Sequence, residues 1–506
     1  MKTDQATKKN IVFIMADDLR PDLGCYANYH PGFHSPDVDM SPNIDAFAAT
    51  SILFEKAFVQ QALCSPSRTS LLTGRRPDTT RVMDISTYFR DVSGNFTTIP
   101  QYFKENGYNS VGMGKIFHSG VASGGDNDGY SWSDDWSYYN GVNSYQGYEN
   151  TSYPVTTAES DANSLQDTKI AEQAISDLST LATEAAAGTP FFLAIGFRKP
   201  HLPWVYPESF LSTYPDESIS LPENPYVPTN MPDLAWYSLG ELINDYLDTG
   251  TDAYPDIADL GTSNVTYPDD KVVEMRQAYY ASISYIDDLV GQVLAELTAL
   301  DLDDSTIVAF MGDHGWQLGE HAEWCKNTNF DIAAHTPLII RVPGSTEDGI
   351  TTSKLVEFVD IFPTLVEAAG LGTLDTCSED TAAEEILCTE GTSLIPLIDD
   401  PASADWKEAV FWQFPRGAPL SDSVKKCMGY SIRTESYRYT EWITLELTDD
   451  DGYAYTQLWD DLCDHAELYD LTTDEEENTN VYDESAYTDI VTELSARLQA
   501  GWRDEL

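Results

Sequence analysis

Short, continuous apolar runs separated by polar stretches are the main pattern in most of the chain. They occur at 10–16, 52–59, 110–113, 191–197, 306–311 and 338–342. Such runs are typical of strands buried on both faces of a parallel sheet. Apolar residues with helical spacing lie between them, at 41–49, 165–187 and 271–300. We therefore expect an α/β domain whose large, mostly parallel sheet has helices on both faces.

The pattern changes towards the C-terminus. The composition over 373–402 is typical of a linker, and alternating runs at 409–414, 430–434 and 437–443 predict antiparallel strands, with a closing helix over 487–502. We expect a larger domain over 1–375 and a smaller α+β subdomain over 376–506.

Local signals refine this outline at two places. Ser41 and Pro42 predict an N-cap and a first helical position for the helix at 41–49. The segments 120–164 and 213–268 are rich in Tyr, Asp, Gly, Asn and Pro, which predicts long surface excursions.

The charge balance limits the possible partners. The 506 residues include 28 Lys and Arg against 84 Asp and Glu, a formal net charge of −56. Hydrophobic residues make up 42% of the chain and aromatic residues 12%, which indicates a folded protein despite that charge. Nucleic acid is excluded as a partner because its phosphates would be repelled. So acidic a surface is tolerated best in saline surroundings, although a solubilising surface explains it equally well.

The cysteines and sequons favour a secretory route. Of seven cysteines, Cys377 and Cys388 are the first candidates for a disulfide, and Cys427 with Cys463 the second. The sequence also has N-x-S/T sequons, at Asn95, Asn150 and Asn264.

The sequence carries few targeting signals. The apolar run at 11–16 is too short for a secretory leader, and no stretch is long enough to span a membrane. The terminal Arg-Asp-Glu-Leu at 503–506 is similar to a retention tetrapeptide, but chance explains it better in so acidic a chain. We expect a secreted or endomembrane, lysosome-like protein without membrane insertion, whose signal peptide is not part of this sequence.

The most informative motif is the run from Cys64 to Arg75, which has the form C-x-P-S-R-x-x-x-L-T-G-R. Pro66 suits the first turn of a helix, so we expect Cys64 at a helix N-terminus, where backbone N–H groups favour an anion. The alternative is a buried structural thiol. The segment is also locally cationic, which suggests an anionic ligand. Its arginines are Arg68, Arg75, Arg76, Arg81 and Arg90. Some of them should instead pair with acidic residues of the scaffold, and Arg68 is the strongest candidate to bind the ligand.

Polar clusters follow four of the predicted strands. They are Asp17 and Asp18, Lys115 and His118, His201, and Asp313 and His314. A single acidic pair after a strand is usually a turn or a helix cap. Four clusters at the carboxyl ends of parallel strands instead predict one shared crevice. Asp17, Asp18 and Asp313 offer the oxygen ligands that a hard divalent cation requires.

These motifs resemble the type I sulfatases. In that family the cysteine of C-x-P-S-R is oxidised to formylglycine, whose hydrate offers one hydroxyl to attack sulfur and another to expel the sulfate. Further segments are similar to those of the iduronate-2-sulfatase branch, namely 15–21, 74–80, 112–118, 312–316 with 318–321, and 429–434 with 437–440. The resemblance covers most of the chain, but not the loops at 120–164 and 213–268.

The resemblance implies a fold, a reaction and a set of site residues. The fold is an alkaline-phosphatase-like sandwich whose larger domain is catalytic, and the reaction is hydrolysis of sulfate esters. One Ca²⁺ would be bound by Asp17, Asp18, Cys64, Asp313 and His314. Imidazole is an unusual calcium ligand, but this branch carries His where other sulfatases carry an amide. The sulfate would be surrounded by Arg68, Lys115, His118, His201 and Lys326.

Within that set the side chains suit different tasks. Arg68, Lys115 and Lys326 supply positive charge towards the sulfate. His118 and His201 are candidate proton carriers, although His201 could merely hold the turn at 199–203. The substrate would be a sulfated polysaccharide such as a glycosaminoglycan, on a 2-O-sulfated uronate, with Lys199 as a further candidate to pair with its charges. A formylglycine-generating enzyme would be the partner in maturation.

Two other function classes stay open. A phosphatase or phosphonate monoester hydrolase of the same superfold would reuse the acidic clusters, but it normally needs a Ser or Thr nucleophile or ligands for two metals. A glycan-binding pseudoenzyme would keep the fold while Cys64 stayed a thiol. The mass of the peptide that contains Cys64 shows whether this cysteine is oxidised, and so distinguishes a glycan-binding pseudoenzyme from a sulfatase.

Overall fold

The computed structural model describes residues 8–27, 40–125, 127–142, 149–237, 240–257, 260, 262–263, 265–379, 381–416, 426–448 and 454–505. Its strands are Asn10–Asp17 (β1), Ile52–Phe58 (β2), Asn109–Gly114 (β3), Ser152–Val155 (β4), Phe191–Pro200 (β5), Trp204–Pro207 (β6), Thr306–Gly312 (β7), Gln317–Leu318 (β8), Trp324–Cys325 (β9), Leu338–Arg341 (β10), Ile350–Glu357 (β11), Ala409–Arg416 (β12), Lys426–Thr434 (β13), Tyr437–Leu447 (β14), Tyr455–Leu462 (β15) and Glu467–Asp470 (β16).

The α-helices are Pro42–Ala48 (α1), Cys64–Thr73 (α2), Pro77–Thr80 (α3), Phe89–Val92 (α4), Ile99–Glu105 (α5), Thr157–Ala162 (α6), Gln166–Ala186 (α7), Glu208–Leu211 (α8), Gly240–Asp245 (α9), Asp269–Ala299 (α10), Asp331–Ala334 (α11), Ile361–Ala368 (α12), Ile395–Asp399 (α13) and Thr488–Ala500 (α14). Short 3₁₀ turns connect several of these elements.

The main sheet has seven strands in the order β11-β2-β10-β7-β1-β5-β3. The two pairings of β10 are antiparallel and all the other pairings are parallel. The expectation of a large, mostly parallel sheet is therefore confirmed. Because β7, β1, β5 and β3 are parallel neighbours, their carboxyl ends meet at one edge of the sheet.

Both faces of this sheet are covered, which explains the unbroken apolar runs. In β1, Val12 and Ile14 face a core built with α1, α7 and α10. Ile11 and Phe13 face the opposite core, where α2, α5, α12 and α13 pack. Successive strand residues point to opposite faces, so a strand buried on both sides must be apolar at every position.

A second sheet forms the C-terminal part. It runs β12-β13-β14-β15, with β16 also paired to β14, and every pairing is antiparallel. Helix α14 packs on it through Leu494 and Leu498. The predicted antiparallel strands and closing helix are confirmed. The boundary at 375/376 stays a prediction.

One prediction about local structure is confirmed and another is wrong. Ser41 is the N-cap residue of α1 and Pro42 begins the helix, as predicted, although Ser41 Oγ makes no capping bond and instead accepts from Gly24 N–H and donates to Asp45. The prediction of a linker over 373–402 is wrong, because the described part of this segment is folded. It contains α13, whose Leu397 is fully buried in the second core, and its Ala382 and Glu385 carbonyls accept from the Arg75 guanidinium.

The structure contains both disulfides that the sequence predicts, Cys377–Cys388 and Cys427–Cys463. Asn95 and Asn150 are exposed, whereas Asn264 lies outside the described residues, as does Leu506 of the terminal tetrapeptide. Across the described part of the chain, no helix combines the length and the apolar character needed to cross a bilayer.

Candidate active site

The polar clusters that follow the central strands meet at one point. Asp17 ends β1 and Asp18 follows it, Lys115 follows β3, and Asp313 and His314 follow β7. Cys64 is the first residue of α2, at the same edge of the sheet. The predicted convergence is therefore found, and it follows from the parallel order of the strands.

Cys64 lies at the centre of this cluster and is 3% exposed. Its Sγ atom is 3.4 Å from His314 Nε2 and 3.8 Å from Asp18 Oδ1. Burial raises the pKa of the Cys64 thiol far above its ordinary value, although Lys115 and Lys326 oppose the shift. The thiol is thus uncharged near neutral pH, and a neutral thiol is a poor nucleophile.

Buried cations bind every carboxylate of the cluster. Arg68 bridges two of them, with Nε 2.8 Å from Asp313 Oδ2 and a terminal nitrogen 2.9 Å from Asp17 Oδ1. Lys115 Nζ donates to the other oxygen of Asp17. Lys326 Nζ donates to both oxygens of Asp18, at 2.8 and 2.9 Å. These ion pairs hold both the carboxylate and the cationic side chains in fixed positions.

The two adjacent aspartates are driven in opposite directions. Burial disfavours ionisation of both, but Lys115 and Arg68 outweigh it at Asp17 and hold the pKa of that carboxyl well below its ordinary value. At Asp18 burial prevails over Lys326, and repulsion from Asp17 and Asp313 adds to it, so the pKa is raised. An added cation next to Asp18 would favour its ionised form.

The donor set fits one divalent cation. His314 Nδ1 is 2.8 Å from the Gly315 carbonyl oxygen, so it donates there and leaves the Nε2 lone pair towards the cluster. Burial lowers the pKa of His314 to about 4, so the ring is neutral at pH 7. The possible ligand atoms of Asp18, Cys64, Asp313 and His314 all lie within 4.8 Å of one another. Asp17 belongs to a second, overlapping group, and with it the set has three carboxylates against one thiol and one imidazole. Carboxylate oxygens are the ligands that a hard divalent cation requires.

His201 borders the cluster on the side of β5. Its Nδ1 contacts the carbonyl of Leu202, which leaves Nε2 facing Asp18 Oδ2 at 3.9 Å. Burial, together with Lys326, lowers the pKa of His201 well below its ordinary value. Lys199 Nζ donates to the carbonyls of His201 and Pro203, so it stabilises the turn that presents His201.

A cavity of about 160 Å³ opens beside Asp17. Lys115, Arg198, Lys199 and His201 are among its lining residues. Asp17 and Asp167 line it too, so its three cations exceed its carboxylates by one positive charge, which favours a negatively charged group next to the cluster.

His118 is half-buried and contacts the Ser119 carbonyl oxygen through Nδ1, at 3.1 Å. Burial, reinforced by Lys115, lowers the pKa of His118 to about 4. The two candidate proton carriers are therefore both neutral near pH 7. Their roles in proton transfer stay predictions.

Most other arginines of the cationic segment pair with the scaffold, as expected. Arg76 binds both oxygens of Glu357, and Arg90 binds Asp128. Arg68 differs because its acidic partners belong to the cluster itself.

The sequence did not reveal a second buried network that supports the loop after β1. Arg20 and Arg276 each lie 3.1 Å from Glu320 Oε1. Arg20 N–H donates to the Tyr279 hydroxyl, which in turn donates to the Asp18 carbonyl oxygen. The one available signal was the position of Arg20 and Glu320 inside motifs that also carry ligand candidates.

Two family models match the chain. The model described as Sulfatase matches residues 9–371, and the model described as N-sulphoglucosamine sulphohydrolase, C-terminal, matches residues 319–504. Together they cover both the main sheet and the C-terminal sheet.

Similar proteins agree with these models. Iduronate 2-sulfatase of Mus musculus is 39% identical over 541 residues, covering 96% of this chain and 93% of the relative. The Homo sapiens iduronate 2-sulfatase is 39% identical over 538 residues, covering 95% and 92%. The solved phosphonate monoester hydrolase of Agrobacterium radiobacter has a TM-score of 0.71 at 20% identity, covering 99% of this chain and 96% of that one. At such identity the likeness concerns the fold alone, and it confirms the alkaline-phosphatase-like sandwich.

Proposed function

The chain belongs to the sulfatase family, whose members are sulfuric ester hydrolases, and we propose that it removes the sulfate from a 2-O-sulfated uronate in a sulfated glycosaminoglycan. The proposal includes conversion of Cys64 to formylglycine by a formylglycine-generating enzyme and one Ca²⁺ bound by Asp17, Asp18, residue 64, Asp313 and His314.

The burial of Cys64 among cations and carboxylates is the observation that carries this proposal. A buried, uncharged thiol is unsuited to attack on an ester, yet it occupies the centre of a charged cluster at a helix N-terminus. The bound groups would supply an oxygen nucleophile, from the aldehyde hydrate, and a Lewis acid, from the calcium ion. The Cys64 Sγ position stands for that of the attacking oxygen.

The chain's own residues bind and orient the ester. Lys115, paired with Asp17, and Lys326, paired with Asp18, are the cations whose charge acts on Cys64, so they would place positive charge next to the sulfate oxygens. Arg68 holds Asp17 and Asp313 in fixed positions, so the oxygen ligands need not reorganise. The water-excluding burial of these groups strengthens each interaction.

The histidines would transfer protons. Since His201 Nδ1 donates its hydrogen to the Leu202 carbonyl oxygen, Nε2 is the atom that exchanges a proton with the reacting groups. His118 can serve the second transfer, because its ring is also neutral near pH 7. A neutral imidazole first accepts a proton, and the resulting cation then protonates the leaving alcohol.

The proposed substrate follows from the relatives and from local charge. The proteins named iduronate 2-sulfatase match nearly the whole chain. In the cavity beside Asp17, the cations Lys115, Arg198 and Lys199 exceed the carboxylates Asp17 and Asp167 by one positive charge. Because Lys199 Nζ already donates to the turn around His201, Arg198 is the lining cation that we expect to pair with a uronate carboxylate. We also propose a secreted or lysosome-like location, which agrees with the two disulfides.

A phosphonate or phosphate monoester hydrolase is the second candidate, favoured by the fold of the Agrobacterium radiobacter enzyme. A two-metal reaction is not supported, because the two groups that could hold a metal in the described part of the chain share Asp18 and Cys64.

The test combines peptide mass with activity. Active protein should contain the peptide with residue 64 in the aldehyde form, and Cys64→Ala should abolish hydrolysis of a 2-O-sulfated disaccharide while the melting temperature stays unchanged. Cys25→Ala, which changes another free thiol, is the matched control and should keep full activity. Undiminished sulfate release by Cys64→Ala would refute the mechanism, and faster hydrolysis of a phosphonate monoester would favour the second candidate.

A further inference from the structure

A second cavity lies between the α2–α3 region and the C-terminal sheet. It measures about 620 Å³, and none of its lining residues is a predicted site residue. We call it the Gln60 cavity, after one of its lining residues. Its lining comes from the turns around α2 and α3, from β12, β13 and β15, and from the end of the chain after α14.

The side chain of Gln60 has no hydrogen-bond partner among the described residues. Gln60 is 1% exposed, and both Nε2 and Oε1 are buried without a partner. Its backbone carbonyl accepts from Gln413 N–H at 2.9 Å, so the residue is held in place at β12. A buried amide that lacks both its donor and its acceptor partner destabilises the fold, and such groups are rare. Gln60 lines the cavity, so a ligand there that supplies a donor and an acceptor together would satisfy the amide once the Gln60 side chain turns towards it.

Two tryptophans form walls of the cavity. Trp459 packs against Tyr430, with ring centroids 5.2 Å apart and the ring planes tilted by 41°. Trp502 contacts two cations, with the guanidinium groups of Arg76 and Arg503 at 5.0 and 4.1 Å from its ring centroid. Both indoles are half-buried, so each keeps apolar surface within reach of a ligand.

Contacts within the protein already engage two of the charged residues that line the cavity, Asp78 and Arg76. Asp78 accepts hydrogen bonds from two amides and two phenols, those of Gln413, Gln457, Tyr430 and Tyr455. Arg76 is engaged by Glu357. The cavity thus offers apolar ring surface and an unpaired amide, whereas the cluster around Cys64 offers strong positive charge.

We propose that the Gln60 cavity is a non-catalytic binding site for a pyranose unit of a saccharide. A pyranose presents C–H groups to an aromatic ring and adjacent hydroxyls, each both donor and acceptor, to an amide. The cavity volume is within the range of small-ligand sites and exceeds what one ring needs. The sugar would come from a remote unit of the glycosaminoglycan or from a glycoprotein glycan, and both sources have this chemistry. The glycosaminoglycan source rests on the proposed function, whereas the binding site itself does not, because binding requires no turnover.

The experiment measures binding of two unsulfated probes to the full-length protein by calorimetry. The first is a desulfated glycosaminoglycan tetrasaccharide and the second an oligomannose glycan. We expect saturable binding of at least one probe. Trp459→Ala should raise its Kd about tenfold through loss of an aromatic wall, and Gln60→Leu should raise it similarly while removing the unpaired amide.

Matched controls separate binding from folding. Trp406→Ala changes a half-buried tryptophan that lines a different cavity and should leave the Kd unchanged. Melting temperatures identify any variant that fails to fold, and Gln60→Leu should be at least as stable as the parent. Saturable binding of the tetrasaccharide alone assigns the site to the glycosaminoglycan, and that of the oligomannose glycan alone to a glycoprotein. The proposal is overturned if neither probe binds, or if Trp459→Ala and Gln60→Leu both bind as the parent does.

Discussion

Glu320→Gln tests whether the buried network behind the metal ligands stabilises the fold through its charge. Glu320 is 4% exposed and accepts from Arg20, Arg276 and the backbone N–H of Leu318. The substitution keeps the shape of the side chain and removes its charge. Two buried guanidinium groups would then share a neutral amide.

The magnitude follows from the pKa. Burial opposes ionisation of Glu320, but Arg20 and Arg276 outweigh it and lower the pKa from 4.5 to about 2. At about 1.36 kcal/mol per pKa unit, the charge contributes about 3 kcal/mol at pH 7. Removing one partner of a buried ion pair costs a similar amount, about 3–5 kcal/mol.

The sign of the pH dependence is fixed by the direction of this shift. A carboxylate whose pKa is lowered by folding stabilises the folded state. The stabilisation is complete at pH values above the unfolded pKa of 4.5, and it is lost as the pH falls through the folded pKa of about 2. The stability difference between parent and Glu320→Gln should therefore fall from about 3 kcal/mol at pH 7 to about 2 kcal/mol at pH 3.5.

Urea denaturation followed by tryptophan fluorescence, at both pH values, measures the difference. Glu217→Gln, an exposed position, is the control and should be nearly neutral. A loss below about 1 kcal/mol at pH 7, or an equal loss at both pH values, would refute the reasoning.

Three further predictions concern the metal, the substrate and the C-terminal sheet. Asp313→Asn should lower bound calcium and the rate of sulfate release together, because it removes one carboxylate charge from the donor set; stoichiometric zinc without calcium in the active parent, by elemental analysis, would contradict the assignment. Turnover of a sulfated oligosaccharide should rise from low to moderate ionic strength, since a net charge of −56 repels a polyanion, while a small aryl sulfate should respond little; a steep fall in oligosaccharide turnover across a salt series would show that local attraction dominates. Replacing Cys427 and Cys463 together with serine should cost about 4 kcal/mol for a separation of 36 residues, and equal urea midpoints for parent and variant would argue against that.

The parallel strands were predictable because burial on both faces demands an apolar residue at every position. β1 and β7 are cases where composition alone defines the strand. Strand β11 (Ile350–Glu357) was not predicted, since its first residue, Ile350, is followed by four polar residues and the strand lies at the edge of the sheet. An edge strand is paired on one side only, and its sequence is therefore less constrained.

The fold of the segment 373–402 depends on contacts from distant residues. Its loop is closed by Cys377–Cys388 and accepts hydrogen bonds from Arg75, far away in sequence. Its polar composition is therefore that of a surface segment fixed by a disulfide and a guanidinium, and no local pattern distinguishes this from a linker.

The members of the candidate site were predictable but their pairings were not. Motif positions identify Asp17, Asp18 and Asp313, whereas the assignment of Lys326 to Asp18 and of Lys115 to Asp17 depends on strand order and on loop conformation. Lys199 shows the same limit. Its sequence position suggests an anion ligand, yet its ammonium group donates to the turn that carries His201.

The charge of the site reconciles an acidic enzyme with an anionic substrate. Asp17, Asp18 and Asp313 balance Arg68, Lys115 and Lys326. A calcium ion bound there would give the cluster a charge of about +2, which matches one sulfate ester and one neighbouring uronate carboxylate. The long-range field of the chain repels such a substrate, but over a few ångströms the buried cluster attracts it, because screening and distance weaken the surface charges more than the contacts inside the site. An enzyme with this arrangement would select substrates that reach the cluster and reject polyanions that merely approach the surface.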